Sequence, residues 1–134
     1  MPGKAFFDTN ILIYAIAQND PRATRAEALL SEGGVVSVQV LNEFVSVARR
    51  KMQMPWPDVT DALDAIRILC SSPVAVTIDT HDAALRIAQE QGYGIYDALI
   101  VAAALDAKCS TLYSEDLQDG QVIEKKLTIR NPFR

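Results

Sequence analysis

The chain has 134 residues, 49% apolar and 22% charged, and its 17 acidic and 13 basic groups leave a net charge of −4. That length suits one domain over residues 1–134 with a real core, and the composition argues against disorder, collagen-like repeats and a coiled coil. Cys70 and Cys109 lie far apart with no CxxC, and His81 is the single histidine, which excludes a disulfide framework, a zinc finger, a two-histidine acid–base ribonuclease and an imidazole-built zinc site.

In chain order, Lys4–Phe7 reads as a short buried strand that stops at Asp8. The segment DTNILIYAIAQND comes next, with Ile11, Leu12, Tyr14 and Ala15 at helical spacing. Asp20-Pro21 is a helix start, with Asp as cap and Pro at the first position, and Gly33-Gly34 ends that helix after Ser31. Val35–Val38 reads as a second strand. A helix beginning at Ser37 or Gln39 runs through VLNEFVSVARRKM, and Pro55 and Pro57 close off the stretch after it. Asp58–Ser71 is amphipathic, with Val59, Leu63, Ile66 and Cys70 on one stripe.

Residues 74–78, VAVTI, read as a third strand, and Thr80–Gln91 as a helix ended by Gly92. Asp97 opens a helix whose next residues, ALIVAAAL, have no polar side chain, so every face should be buried. STLY at 110–113 is a fourth strand, SEDLQDG a polar loop, and Ile123 with 127–129 a last short edge strand. Strands alternating with helices predict an α/β fold, a three-layer α/β/α sandwich around a parallel sheet, with ligands at the carboxyl ends of the strands.

Asp8, Asp97 and Asp116 all fall toward that edge. Asp8 ends the first strand, Asp116 lies just past the fourth, and Asp97 begins the apolar helix. Each could serve only as a cap or a loop acid, yet acids converging on one cleft repel unless a cation compensates them. Oxygen-only ligands select a hard ion, Mg²⁺ or Mn²⁺. Glu43 shares a helical face with Gln39, Ser46 and Arg50, so it is either a site residue or part of a solvated stripe. Position alone does not choose Asp116 over Glu115 and Asp119. Ser114 is either a turn residue or a hydroxyl that orients Asp116 or a bound water. Asp79 and Asp82 are assigned to capping of the Thr80–Gln91 helix.

The segments FFDTNILIY at 6–14, LNEF at 41–44, YDALIVAAAL at 96–105 and LYSEDLQDG at 112–120, in this order, resemble a PIN domain, in particular a VapC-type toxin ribonuclease of a type II toxin–antitoxin system. The resemblance implies Asp8, Glu43, Asp97 and Asp116 as catalytic and metal-holding acids. It places Asn10 and Ser114 at polar accessory positions. It further implies an α/β/α sandwich, Mg²⁺ or Mn²⁺ as cofactor, RNA as substrate, homodimerisation and a cognate antitoxin. The carboxylates would hold one or two ions, and water activated there would cleave the phosphodiester to leave a 5′-phosphate and a 3′-hydroxyl.

Candidate phosphate contacts are Arg49, Arg50 and Lys51, with Arg22 and Arg25 on the second helix. Two other readings compete. A haloacid-dehalogenase-like phosphatase would use Asp8 as nucleophile but wants a second Asp where this chain has Asn10. The other is a catalytically silent module that binds RNA or protein. Surplus apolar residues in Asp58–Ser71 and Ile11–Ile16, with Met54 and Trp56, predict a homodimer and a groove for an amphipathic antitoxin helix. Uncharged stretches are too short to span a bilayer, and Asp8 arrives before a signal-peptide core could form, so a cytoplasmic location without a membrane partner is expected.

Overall fold

The structure, a computed structural model, describes residues 3–134. Three short strands form its parallel centre: β1 (Ala5–Phe7), β2 (Thr111–Tyr113) and β4 (Leu127–Arg130). A two-residue strand, β3 (Val122–Ile123), pairs antiparallel with β4, giving the order β1-β2-β4-β3. On the other side of β1, Val35 exchanges backbone hydrogen bonds with Ala5 and Phe7, and Val74 with Val36 and Val38. These bridges, Phe6 to Val35 and Ser37 to Val74, extend the parallel pattern without becoming full strands. Gly34 permits the approach, since a Cβ there would meet the Phe7 ring at 2.4 Å and the Ala5 carbonyl at 2.8 Å.

Six helices complete the fold: α1 (Thr9–Ile16), α2 (Ala23–Ser31), α3 (Val38–Arg50), α4 (Trp56–Leu69), α5 (Ile78–Gln91) and α6 (Ile95–Asp106). α1 to α4 pack among themselves, and α5 packs chiefly on α6. Right-handed crossovers explain the grouping. The chain steps outward from β1 to residues 35–37 and then 74, and only afterwards reverses across β1 to β2, which moves the later helices to the opposite face. Phe6, Phe7, Leu112, Leu127 and Ile129 are buried, as a sheet covered on both faces requires. The α/β fold with a central parallel sheet expected from the sequence is therefore observed.

Several element boundaries differ from the sequence expectation, each for a local reason. Residues 74–78 supply one bridge because Thr77 and Thr80 form a reciprocal capping box that starts α5 at Ile78. Thr77, rather than Asp79 or Asp82, is therefore the cap. Asp20 spends its carboxylate on the Arg22 backbone and guanidinium, delaying α2 to Ala23. Pro57 lies in the first turn of α4 and opens the helix rather than closing the preceding segment. Residues 127–130 are not an edge strand. They lie between β2 and β3, because the chain reverses through Glu124 and Lys125, both at positive φ, and covers them with β3.

Candidate active site

Strand register builds the centre of the site. Phe7 pairs with Tyr113, so the next residues, Asp8 and Ser114, leave the sheet side by side. The Asp8 amide donates to the Tyr113 carbonyl at 3.0 Å, and Asp8 then caps α1, one carboxylate oxygen accepting from the Thr9 amide at 2.7 Å. Its other oxygen accepts from the Ser114 hydroxyl at 2.8 Å. Ser114 is wholly buried and its Oγ also accepts from the amides of Asp116 and Leu117, at 3.1 and 3.3 Å. It therefore anchors both Asp8 and the loop that carries Asp116. It acts through Asp8 and does not line the cleft.

Burial pushes the Asp8 carboxyl up from 3.8 to about 6, against the two hydrogen bonds that favour its charged form, with Asp116 and Glu43 adding repulsion. Asp97, in the first turn of α6, is raised as well, by desolvation and then by Asp116 and Glu43. Both are held against the electrostatics of their surroundings, as functional acids often are.

The structure brings Asp8, Glu43, Asp97 and Asp116 onto one cleft of about 500 Å³ at the carboxyl ends of β1 and β2, with Asn10, Ser46, Arg50 and Lys51 in its lining. Glu43 accepts from the Thr9 hydroxyl at 2.8 Å and from Gln39 Nε2 at 2.7 Å. Asn10 donates to Asp116 at 3.2 Å while its carbonyl accepts from the Glu115 amide at 3.3 Å, clasping the loop. None of the four acids is ion-paired among the described residues.

The loop's three acids separate by their partners. Glu115 is taken by Arg22 at 3.2 Å and by the Tyr14 hydroxyl, and Arg22 also stacks over the Tyr14 ring at 3.8 Å. Asp119 accepts from the Asn131 amide at 2.8 Å. Asp116 alone turns to Asn10 and the cleft, a choice that sequence position does not make.

The basic residues separate too. Arg50 and Lys51 line the cleft. Arg49 lies over the Trp56 ring and donates to the Met54 carbonyl, Arg25 reaches the Pro132 carbonyl, and Arg22 is committed to Asp20 and Glu115. Thr9 and Gln39 join the site without any mark in the sequence that singles them out. Gln39 is one helical turn before Glu43, so their shared face is visible there, but it has the pattern of a solvated stripe.

The donor set is all oxygen, which suits a hard divalent cation. Among the described residues, however, no three acids are already gathered as a cation cage. Neutral donors from Thr9, Asn10, Gln39 and Ser114 engage three of the carboxylates. Each carboxylate oxygen keeps a second lone pair free, so these bonds leave capacity for an ion. The residues fit the group.

Removing the Ser114 hydroxyl tests the anchor. Ser114→Ala leaves two amides and one Asp8 oxygen without their partner, so unfolding free energy should fall by about 1–3 kcal/mol. An unchanged denaturant midpoint would remove Ser114 from that role.

The PIN domain family model matches residues 5–119, which hold all four acids, and the chain belongs to the PIN domain family. Membership sets aside the haloacid-dehalogenase alternative. Among solved structures, a toxin–antitoxin complex from Klebsiella pneumoniae is similar at a TM-score of 0.72 and 21% identity, over 96% of this chain and 97% of that one. VapBC2 from Rickettsia felis, bound to a DNA fragment from its promoter, is similar at 0.67 and 20% identity, over 95% and 97%. Mycobacterium tuberculosis VapC20, a sarcin–ricin loop cleaving toxin, is similar at 0.66 and 21% identity, over 84% and 89%. At these identities the likeness is one of fold. No curated protein is matched by sequence.

Proposed function

We propose that this PIN domain is a divalent-metal-dependent endoribonuclease, the toxin of a toxin–antitoxin pair. The observation that carries the reading is the placement of Asp8, Glu43, Asp97 and Asp116 on one cleft without a paired cation. These four would hold Mg²⁺ or Mn²⁺, which when bound supplies an activated water and compensates charge on the scissile phosphate.

The chain's own residues do the rest. Ser114 and the Thr9 amide fix Asp8 between sheet and helix, and Asn10 fixes Asp116 opposite. Arg50 and Lys51 give a phosphate backbone a positive rim in a chain whose net charge would otherwise repel it. Hydrolysis by water makes no use of the ribose 2′-hydroxyl, so selection of RNA rests on shape and contacts along this cleft. The direct test is incubation of the purified chain with total RNA. Cleavage with Mg²⁺ and none with the metal chelated supports the reading; intact RNA under both conditions contradicts it.

Two apolar surfaces fit the partners of such a toxin. A groove between α1, α2 and α4 is lined by Leu12, Ala15, Ile16, Leu30, Ala62 and Leu69, with Ile68 exposed on the same helix. It suits the apolar face of an antitoxin helix, and two of the similar structures are toxin–antitoxin assemblies. Of the rest of the expected apolar surplus, Ile11 is buried in the core, Ile13, Tyr14 and Met54 pack partly against it, and Trp56 stays exposed beneath the Arg49 guanidinium.

The second surface has no counterpart in the sequence expectation. Val38, Val76, Tyr96 and Leu99 surround a hollow of about 610 Å³ that shares Glu43 and Ser46 with the acid cleft. A second copy docked there in a two-fold contact would bury these apolar side chains at the edge of the acid cleft. Sedimentation at micromolar concentration should show a dimer that Val76→Asp dissociates; a monomeric wild type would refute this assignment. No helix among the described residues is long and apolar enough to cross a membrane.

A further inference from the structure

Glu43 is the one cleft acid whose two oxygens are both occupied by side chains from other positions, and the two donors lead to different parts of the site. Thr9 Oγ1, beside Asp8, donates to Oε2 at 2.8 Å. Gln39 Nε2 donates to Oε1 at 2.7 Å and also to the main-chain carbonyl of Tyr96, the residue before Asp97, at 3.2 Å. One amide group thus ties Glu43 on α3 to the first turn of α6. The opposite end of the same amide is anomalous: Gln39 Oε1 is buried and has no hydrogen-bond partner. A buried carbonyl without a donor is unfavourable, and an apolar side chain of the same shape would avoid the cost. Packing alone therefore does not account for a glutamine here; its NH₂ group does.

We propose that Gln39 is a positioning residue for cation binding, holding Glu43 in register with Asp97 so that the two carboxylates reach one ion together. The inference rests on the metal reading above. It differs from a structural role in a measurable way. A residue needed for the fold loses stability when its polar group is removed. Gln39→Met keeps length and volume, removes the donor to Glu43, and also removes the orphaned carbonyl.

The test is Mn²⁺ titration of the full chain by calorimetry, with thermal melting in the absence of metal and steady-state cleavage of an RNA oligonucleotide. For Gln39→Met we expect a metal-free melting temperature equal to or above that of the wild type. Mn²⁺ affinity should be roughly tenfold weaker, as expected for loss of an oriented supporting hydrogen bond. The kcat should fall while KM for RNA is unchanged, since Gln39 does not line the acid cleft. It lines the neighbouring hollow, and sedimentation of Gln39→Met should match the wild type, whereas a changed oligomeric state would place its effect in that contact and overturn the positioning role. Gln39→Glu, which keeps the shape and replaces the donor with a further acid, should not restore kcat. A wild type and Gln39→Met that bind Mn²⁺ equally would overturn the positioning role and leave the metal reading intact. So would a variant whose metal-free melting temperature collapses, because that marks Gln39 as structural. A wild type that binds no Mn²⁺ would overturn both.

Discussion

Asp8→Asn should make the folded chain more stable at pH 7.5, by roughly 1–3 kcal/mol, while RNA cleavage falls by about a thousandfold. The stability term comes from the direction of the Asp8 shift, from 3.8 to about 6 at a nearly buried site. A carboxyl whose folded pKa lies above its unfolded value favours folding in its protonated form. That contribution is complete below about pH 4 and is lost as pH rises toward 6 and beyond. Full loss of a shift of this size is worth about 3 kcal/mol. The variant gains less, because an amide NH₂ facing Ser114 Oγ meets a hydroxyl oxygen that already accepts from two backbone amides. Chemical denaturation at pH 4 and pH 7.5 checks this: the wild type should close the gap at pH 4. A variant less stable than wild type at pH 7.5 would show that Asp8 is retained for the fold.

The second large effect is that of the cation. At a concentration a hundred times its dissociation constant, a bound ion stabilises the folded state by about 2.7 kcal/mol through mass action. Mg²⁺ or Mn²⁺ should therefore raise the melting temperature of the wild type by several degrees. Asp97→Asn should lose most of that shift and most of its cleavage activity, with its metal-free melting temperature unchanged or higher, since one of several mutually repelling charges is gone. Equal metal-induced shifts in wild type and variant would remove Asp97 from the binding set.

The parts of the fold legible in the sequence are those held by local interactions. Helical periodicity, the Ser37 cap and the apolar run of α6 are written within a few residues; α3 follows that cap as expected, and α6 holds the apolar run but opens at Ile95, two residues before Asp97, with Gly94 as its cap. The abrupt stop of an apolar strand at Asp8 likewise locates the cleft edge. Ile123 and residues 127–129 read as strand and are strands, but their pairing as the β3–β4 hairpin and the internal place of β4 are not legible, because pairing across the sheet sets them. Strand 74–78 fails for the reverse reason. Its β-branched residues suit a strand, but two threonines three apart form a capping box that claims the backbone first.

The site divides in the same way. Motif order makes Asp8, Glu43, Asp97 and Asp116 candidates, but only tertiary contacts show what distinguishes Asp116 from its neighbours. Arg22, nearly a hundred residues upstream of Glu115 in sequence, removes that acid by pairing with it. Gln39 is visible on the face of Glu43, and nothing local says that this face turns to α6 rather than to water.

The most direct measurement of the central claim is the chemistry of the cut ends. Purified chain, an RNA substrate and Mg²⁺ or Mn²⁺ are combined, and the fragments are tested for ligation competence and for release of phosphate by a phosphatase. Attack by water held over the acid cleft predicts 5′-phosphate and 3′-hydroxyl ends, formed only with metal present and absent for Asp8→Asn. Cleavage that persists in chelator and leaves 2′,3′-cyclic phosphate ends would contradict it, since that product requires the ribose hydroxyl as nucleophile and no cation from these four acids.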